Sequence, residues 1–434
     1  MAGIYIHIPF CHSKCVYCGF YSKPLSLFKS KEHYISALEK EIEVRSDKGE
    51  LINSIYFGGG TPSTLTLNEL ERTFNSLHNN FLISSEAEIT IEVNPDDIEK
   101  DYVRGLKDLG INRVSIGVQS FIDSHLKWMG RRYTSSQILD SFKILFDEGI
   151  ENISADIIFG FSSLTNEELE YNLNTLISLS PKHISTYQLS LDDGSILEKL
   201  SNRGENFLLP DEVCYEQYSL IQSILESADY SQYEISNFSK SGFHSRHNTN
   251  YWNRTPYFGF GAGAHSFLNG RRCWNKNDIK GYIDYYLYNK CEVANKEDNI
   301  AECEILSSKD VINEYIFLGL RTVEGLDWNE LKRVSDEFIK LQLQGERGGK
   351  GPERKNDEER DAKGEMKGER RMNEREKDDM KWSEEKWSDV CKKIECALER
   401  KNLISKEIGD KKLIAIPKEK LFISDSIISD LFVV

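Results

Sequence analysis

Apolar and polar positions change period repeatedly along the first 230 residues. Short runs rich in Ile, Val and Phe alternate with longer stretches in which apolar residues recur every three or four positions. The short runs read as strands over residues 3–8, 54–57, 88–93, 113–118, 154–159 and 183–189. The longer stretches read as amphipathic helices over 31–45, 67–77, 97–109, 135–147, 166–179 and 210–227. Strand and helix in strict turn predict an α/β fold with a parallel sheet and crossover helices. Six such units are fewer than the eight of a closed barrel. In parallel α/β folds, ligand sites gather at the carboxyl ends of strands, and the polar signals fall there.

The rhythm changes after residue 230. Residues 233–238 read as one more strand. A polar–aromatic string, His247-Asn248-Thr249-Asn250-Tyr251-Trp252, follows, then a glycine-rich run over 259–265. Residues 314–325 read as an amphipathic helix with a basic end and a turn. From 345 to 386 the composition collapses to Gly, Glu, Lys, Arg and Asp, with 14 acidic and 13 basic residues. Such a stretch has little to bury and reads as a solvated polyampholyte insert, disordered or a frayed helix. Residues 391–401 then read as a helix, 413–416 as a strand and 421–432 as a closing amphipathic segment. The expected divisions are therefore 1–230, 231–340, 345–386 and 387–434.

Charge narrows the choice of partners. Across 434 residues, 55 Lys and Arg stand against 71 Asp and Glu, a net charge of −16. That argues against a nucleic-acid partner. No apolar run approaches the ~18 residues of a membrane span, which leaves peripheral membrane contact open. The N-terminus enters a strand directly, with no leader-like pattern. Nine cysteines, an odd number with three clustered, suit a reducing cytoplasm and not a disulfide scaffold.

The cluster is Cys11, Cys15 and Cys18, a C-x3-C-x2-C triplet directly after the first strand. Soft thiolates at this spacing select an iron–sulfur cluster, Zn or Cu(I). A cubane cluster takes four cysteines. Three are offered, with Phe20 where a fourth local one would sit, so one iron keeps an open position of the kind a reactant needs. Further polar signals sit at strand ends: Gly58-Gly59-Gly60-Thr61-Pro62, Glu92-Val93-Asn94-Pro95, Gln119, Arg131 with Arg132 beside it, and Asp156. Glycines allow close backbone approach and leave N–H groups free. A carboxylate can pair with a ligand ammonium, and Asp156 can accept bonds from ribose hydroxyls. Each alone could be a loop cap; together they are what an amino-acid-plus-nucleoside ligand requires.

The triplet resembles that of the radical S-adenosylmethionine (SAM) enzymes. The longer string YIHIPFCHSKCVYC is similar to the oxygen-independent coproporphyrinogen III oxidase group among them. The resemblance implies a partial, open (β/α)6 TIM-like barrel with a smaller C-terminal α+β domain ending in a wing-like element. It implies a [4Fe-4S] cluster on Cys11, Cys15 and Cys18, with SAM chelating the open iron. It also implies that Tyr5, Gly59, Gly60, Thr61, Glu92, Gln119, Arg131 and Asp156 line one SAM site. Two loops depart from the group's pattern: Gly160–Thr165 replaces GLPGQT, and Asp192-Asp193-Gly194-Ser195 stands where a glutamate usually precedes Gly-Thr.

The string HNTNYW fits HNxxYW and resembles the haem-binding motif of HemW-type haem chaperones, a branch of this group. The resemblance implies His247 as axial haem ligand, with His265 and His7 as weaker candidates. A buried histidine among aromatics is more often a hydrogen-bonded core residue. Two functions follow. One is a haem-binding chaperone that delivers haem to acceptor haemoproteins. The other is a coproporphyrinogen III dehydrogenase of porphyrin biosynthesis, in which a SAM-derived radical starts oxidative decarboxylation. Both need an electron donor for the cluster, and no catalytic side chain is assigned. Phe20 and His247 favour the chaperone. Monomer and dimer are both compatible with the sequence.

Overall fold

The structure is a computed structural model that describes residues 1–27, 31–288, 300–345 and 374–433. The chain divides into two compact units, Met1–Ile305 and Leu306–Val434.

The first unit is built on one sheet. Its strands are β1 (Ala2–Ile8), β2 (Leu51–Gly59), β3 (Leu82–Val93), β4 (Arg113–Gln119), β5 (Ile153–Phe159), β6 (His183–Gln188), β7 (Ser231–Gln232), β8 (Asn237–Ser239), β9 (Tyr257–Phe260), β10 (His265–Leu268), β11 (Arg271–Asn275) and β12 (Ala301–Ile305). Their order in the sheet is β12-β11-β10-β9-β1-β2-β3-β4-β5-β6-β8-β7. β1 to β6 run parallel, each beside the next. Between them pack α1 (Lys31–Val44), α2 (Leu67–Asn80), α3 (Lys100–Asp108), α4 (Asp123–Trp128), α5 (Ser135–Asp147) and α6 (Asn166–Ser178). The predicted α/β alternation and the open, six-unit parallel arrangement are as found.

Strand parity explains the architecture. One face of β4 carries Val114, Ile116 and Val118, all fully buried; the neighbouring strands add Ile4, Ile6, Ile55, Phe57, Ile91, Ile153, Ala155 and Ile157. Each large aliphatic side chain so buried contributes about 1.5–3 kcal/mol. The other parity is polar: Tyr56 on β2, Glu92 on β3, Arg113, Ser115, Gly117 and Gln119 on β4, Ser154 and Asp156 on β5, Ser185 and Tyr187 on β6. The sheet is thus apolar outside, against the helices, and polar inside. Helix starts are set locally: Thr66, Thr134 and Thr165 each form a capping box with the residue three positions on.

The expected boundary at 230 is replaced by one at 305. β9 pairs in parallel with β1, Gly3 to Tyr257 through Ile6 to Phe260, and β10 to β12 continue antiparallel from it. A buried polar network fixes this extension to α1. Glu41 accepts from Arg45 at 2.5 Å, Asn275 at 2.7 Å, Tyr282 at 2.6 Å and the Gly261 N–H at 2.7 Å. The strand expected at 233–238 is split between β7 and β8, with Tyr233–Ser236 outside both. Residues 246–252 of the polar–aromatic string form a helix, here α9, after α7 (Ile196–Ser201) and α8 (Asp211–Ser227). The expectation of reduced thiols throughout has one exception. Cys273 and Cys303 face each other across β11 and β12, with Cα atoms 4.1 Å apart, and are disulfide-bonded.

The second unit holds helices Ser308–Leu320, Trp328–Gly345, Glu374–Glu399 and Ser424–Leu431 around a small antiparallel sheet of Leu326–Asp327, Lys411–Ala415 and Ile404–Ile408. Of the expected 345–386 insert, 346–373 lie outside the described residues and 374–386 are the start of the Glu374–Glu399 helix. No described helix is long and apolar enough to cross a membrane.

Removing the buried Glu41 leaves Arg45 uncompensated, which costs about 3 kcal/mol. Thermal denaturation of Glu41→Ala should show a clearly lowered transition, and Glu41→Ala/Arg45→Met should recover part of the loss. An unchanged Glu41→Ala melt would remove this network from the account of the fold.

Candidate functional site

The carboxyl ends of β2 to β6 and the cysteine loop enclose a cavity of about 580 Å³. Cys11, Cys15 and Cys18 all line it. Their loop is held on several sides. Val16 N–H donates to the Met129 carbonyl at 3.2 Å, Leu197 N–H to the Val16 carbonyl at 3.0 Å, and Cys18 N–H to the Cys15 carbonyl at 3.3 Å. Gly19 N–H donates to Asp192 Oδ2 at 3.1 Å. The departing residue Asp192 is therefore a mooring for the cysteine loop. Burial raises the Cys11 thiol and pushes Cys18 up to about 11. Among the described residues no three His, Cys, Asp or Glu side chains converge as a metal-ligand set. The donor chemistry fits an iron–sulfur cluster: three soft sulfurs on one loop, all facing one walled space.

The glycine loop closes against the cysteine loop and not around free N–H groups. Gly60 N–H donates to the Ile8 carbonyl at 2.8 Å and Thr61 N–H to the Phe10 carbonyl at 2.7 Å. The expected open donors are thus consumed in joining two loops. A Cβ on Gly60 would stand 2.7 Å from the Phe10 carbonyl oxygen. Gly59 has φ +110°, and its Cβ would meet the His7 ring at 2.6 Å. Thr61 Oγ1 lies 3.5 Å from Cys11 Sγ, as a donor to it.

Glu92 faces the cavity, accepts from the Tyr56 hydroxyl at 2.8 Å, and is raised to about 7, mainly by burial and also by Asp156. Asp156 is raised to about 6 by burial, opposed by a Ser185 hydrogen bond and by Arg113 and Arg131. Gln119 lies at a β4 irregularity with φ +66°. That conformation is unusual for a side chain larger than Asn. The two adjacent arginines, both on the cavity wall, differ in their contacts. Arg132 pairs with Asp96 and Asp97. Arg131 turns inward, donating to Asn94 at 3.1 Å and to the Tyr17 hydroxyl, with its Nε buried and without a partner. An unpartnered guanidinium N–H and two buried carboxyls on the walls of one cavity fit a ligand carrying both a carboxylate and an ammonium, whose charge would draw the carboxyls into their ionised form.

Two expected residues stand elsewhere. Tyr5 does not line the cavity. Its ring stacks on Tyr56 and His247, and its hydroxyl lies 3.0 Å from His7 Nδ1. It has inward parity and is half-buried against these rings. His247 is 1% exposed. Its Nδ1 lies 3.0 Å from Ser54 Oγ, and its Nε2 is 2.9 Å from the Tyr251 hydroxyl. Burial first, then Arg113, lowers it to about 3. Both ring nitrogens are committed, so in this conformation His247 is a core residue and offers iron nothing. His7 is likewise engaged by Tyr5 and the Tyr21 carbonyl. His265 is exposed on β10 and stacks on Trp274. From HNTNYW, Asn248 is the residue that reaches the cavity.

Sequence reasoning missed Arg113, Asn248, Tyr17, Tyr56 and Asp192 as cavity residues. Only Arg113 carried a legible signal. RVSIGVQ alternates polar and apolar residues strictly, which puts Arg113 on the face of Gln119.

Fold and cavity together define a radical SAM protein, and residues 5–176 match the Radical SAM superfamily. That membership implies a [4Fe-4S] cluster and SAM. Heme chaperone HemW of Bacillus subtilis is 36% identical over 341 residues, spanning 78% of this chain and 87% of that protein. Heme chaperone HemW of Synechocystis is 34% identical over 341 residues, spanning 76% and 80%. The chain belongs to the HemW family. Among solved structures, coproporphyrinogen III oxidase (HemN) from Escherichia coli covers 99% of this chain and 90% of its own, with TM-score 0.73 and 18% identity. At that identity the likeness shows the fold alone.

The raised Glu92 carboxyl sets a pH dependence. Folding favours its neutral form, so the stability it contributes is complete below the unfolded value of ~4.3 and is lost as pH rises through about 7. Glu92→Gln, neutral at every pH, should melt about 5 °C above wild type at pH 8 and near it at pH 4. Its SAM binding should be strongly weakened. A pH-independent difference in melting would show that Glu92 is not held from ionising.

Proposed function

We propose that this protein is a haem chaperone that binds a [4Fe-4S] cluster, SAM and haem and passes haem to acceptor haemoproteins. The observation that carries this reading is its sequence kinship, over most of its length, to proteins named heme chaperone HemW. Cys11, Cys15 and Cys18 would hold the cluster, which supplies electron-transfer chemistry when bound. Arg131 would take the ligand carboxylate, Glu92 its ammonium and Asp156 its ribose hydroxyls. Gly59, Gly60 and Thr61 shape the wall between cluster loop and ligand, and Gln119 borders the same space. Tyr5 supports Tyr56 from behind.

Haem ligation by His247 requires α9 to move. The Arg246 and His247 N–H groups are each held at 3.1 Å by Glu88, and both imidazole nitrogens must leave Ser54 and Tyr251. The second reading, coproporphyrinogen dehydrogenation, is favoured by one observation: Gly59, Gly60, Thr61, Glu92, Gln119, Arg131 and Asp156 line the same cavity as the three cysteines.

Anaerobic reconstitution with iron and sulfide tests both. In the chaperone reading, one haem per chain binds, His247→Ala weakens haem binding and spares the cluster, and coproporphyrinogen III with SAM and a reductant is left unchanged. Cys15→Ala should lose the cluster absorbance and most of the bound iron. Release of 5′-deoxyadenosine with formation of protoporphyrinogen would replace the chaperone by the dehydrogenase. Retention of full iron content in Cys15→Ala would remove the cluster from this loop.

A further inference from the structure

Three arginines line the cavity; Arg132 is paired with Asp96 and Asp97, and the ligand reading uses only Arg131. The third, Arg113, stands at the start of β4 with inward parity and is 2% exposed. On one side β3 pairs Glu92 with Ser115, the next inward residue up from Arg113. On the other side β5 pairs Asp156 with Gly117, one inward step higher. The Arg113 side chain therefore starts below both carboxylates, between the two strands that carry them. Among the described residues it forms an ion pair with neither, and its Nε is buried without a hydrogen-bond partner. An unpaired buried charge is costly, so its retention here calls for an electrostatic reason.

We propose that Arg113 is a positioning residue of the ligand cavity. Its guanidinium is the fixed positive charge in the wall that favours the charged forms of Glu92 and Asp156 against their burial, with no ion pair to either among the described residues. It lowers the carboxyls of Glu92 and Asp156 and the phenols of Tyr56 and Tyr233. It also helps to keep His183 and His247 neutral. The other charged or titratable groups facing these are Arg131 and Tyr187 beside Asp156, and Glu88 and Glu234 beside Tyr233. Among these, desolvation pushes both carboxyls toward the neutral form. Arg113 opposes that push on both, and Arg131 on Asp156 alone. A neutral Glu92 would lose its attraction for an ammonium. Arg113 thus serves binding through two other residues.

The ligand part of this inference rests on the SAM reading, so its test has a ligand-free arm. The protonated-carboxyl stretch is followed by infrared spectroscopy against pH in wild type, Arg113→Gln and Arg113→Lys. Glu92→Gln and Asp156→Asn assign the bands. Arg113→Gln should move the carboxyl midpoints up by about 1 pH unit, and Arg113→Lys should return them most of the way. SAM binding at pH 7 should weaken roughly tenfold in Arg113→Gln, and its loss on acidification should begin at a correspondingly higher pH. A purely structural role would lower the melting transition and leave these midpoints in place. Superimposed carboxyl titrations of folded wild type and Arg113→Gln would overturn the proposal. Should Arg113→Gln not fold, Arg113→Gln/Asp156→Asn removes one charge of each sign, and its comparison with Asp156→Asn alone reports the Arg113 shift at Glu92. A wild-type protein that binds no SAM would sink the ligand reading alone, and the titration would still decide Arg113.

Discussion

The first unit depends on one constraint: its parallel strands must be apolar on one face and polar on the other. The helices bury Ile, Val and Phe from the outer face, and that burial is the main favourable term in folding. It offsets the cost of an inner face carrying Glu92, Asp156, Arg113 and Arg131 into a walled space. Water cannot fully solvate these groups there, and the protein solvates them only in part. The result is a cavity whose carboxyls sit near neutral pH values and whose guanidinium groups lack full complements of acceptors. Such strain at a site is what a charged ligand relieves on binding.

The cysteine loop illustrates the same economy in the backbone. It has little core of its own. Its shape comes from hydrogen bonds to residues distant in sequence: Ile8 and Phe10 to the glycine loop, Val16 to Met129 and Leu197, Gly19 to Asp192. Close approach needs glycine at 59 and 60, because any side chain would occupy the space of the His7 ring or of the Phe10 carbonyl. A loop moored at so many points holds its sulfurs facing one space before any metal arrives, and preorganisation of this kind reduces the ordering cost of binding.

The haem motif shows where local pattern and three-dimensional setting part. HNTNYW gave a histidine among aromatics, and two readings of it, ligand and core residue, were open. The α9 helix, capped by Ser245 and held by Glu88, turns His247 into the sheet between Ser54 and Tyr251 and leaves Asn248 on the cavity wall. The structure shows the core-packed state, and ligation by His247 would require a movement of this helix.

Much was legible in the sequence because it rests on local periodicity. Alternation with period 2 and period 3.6 identified β1 to β6 and their helices. Thiol spacing marked the cysteine loop. Strand ends marked Glu92, Gln119 and Asp156, and the segment twelve residues after Gln119 marked Arg131; all four line the cavity. What the sequence could not express were contacts between residues far apart along the chain. The pairing of β9 with β1 moved the unit boundary from 230 to 305. The Ile8 and Phe10 carbonyls took the N–H groups of Gly60 and Thr61. Tyr56 and His247 stacked on Tyr5, and Asp192 reached the cysteine loop. Local pattern determines which face a side chain takes, since that follows from backbone geometry alone. Only tertiary structure decides what stands opposite it, because that depends on how distant segments share one space.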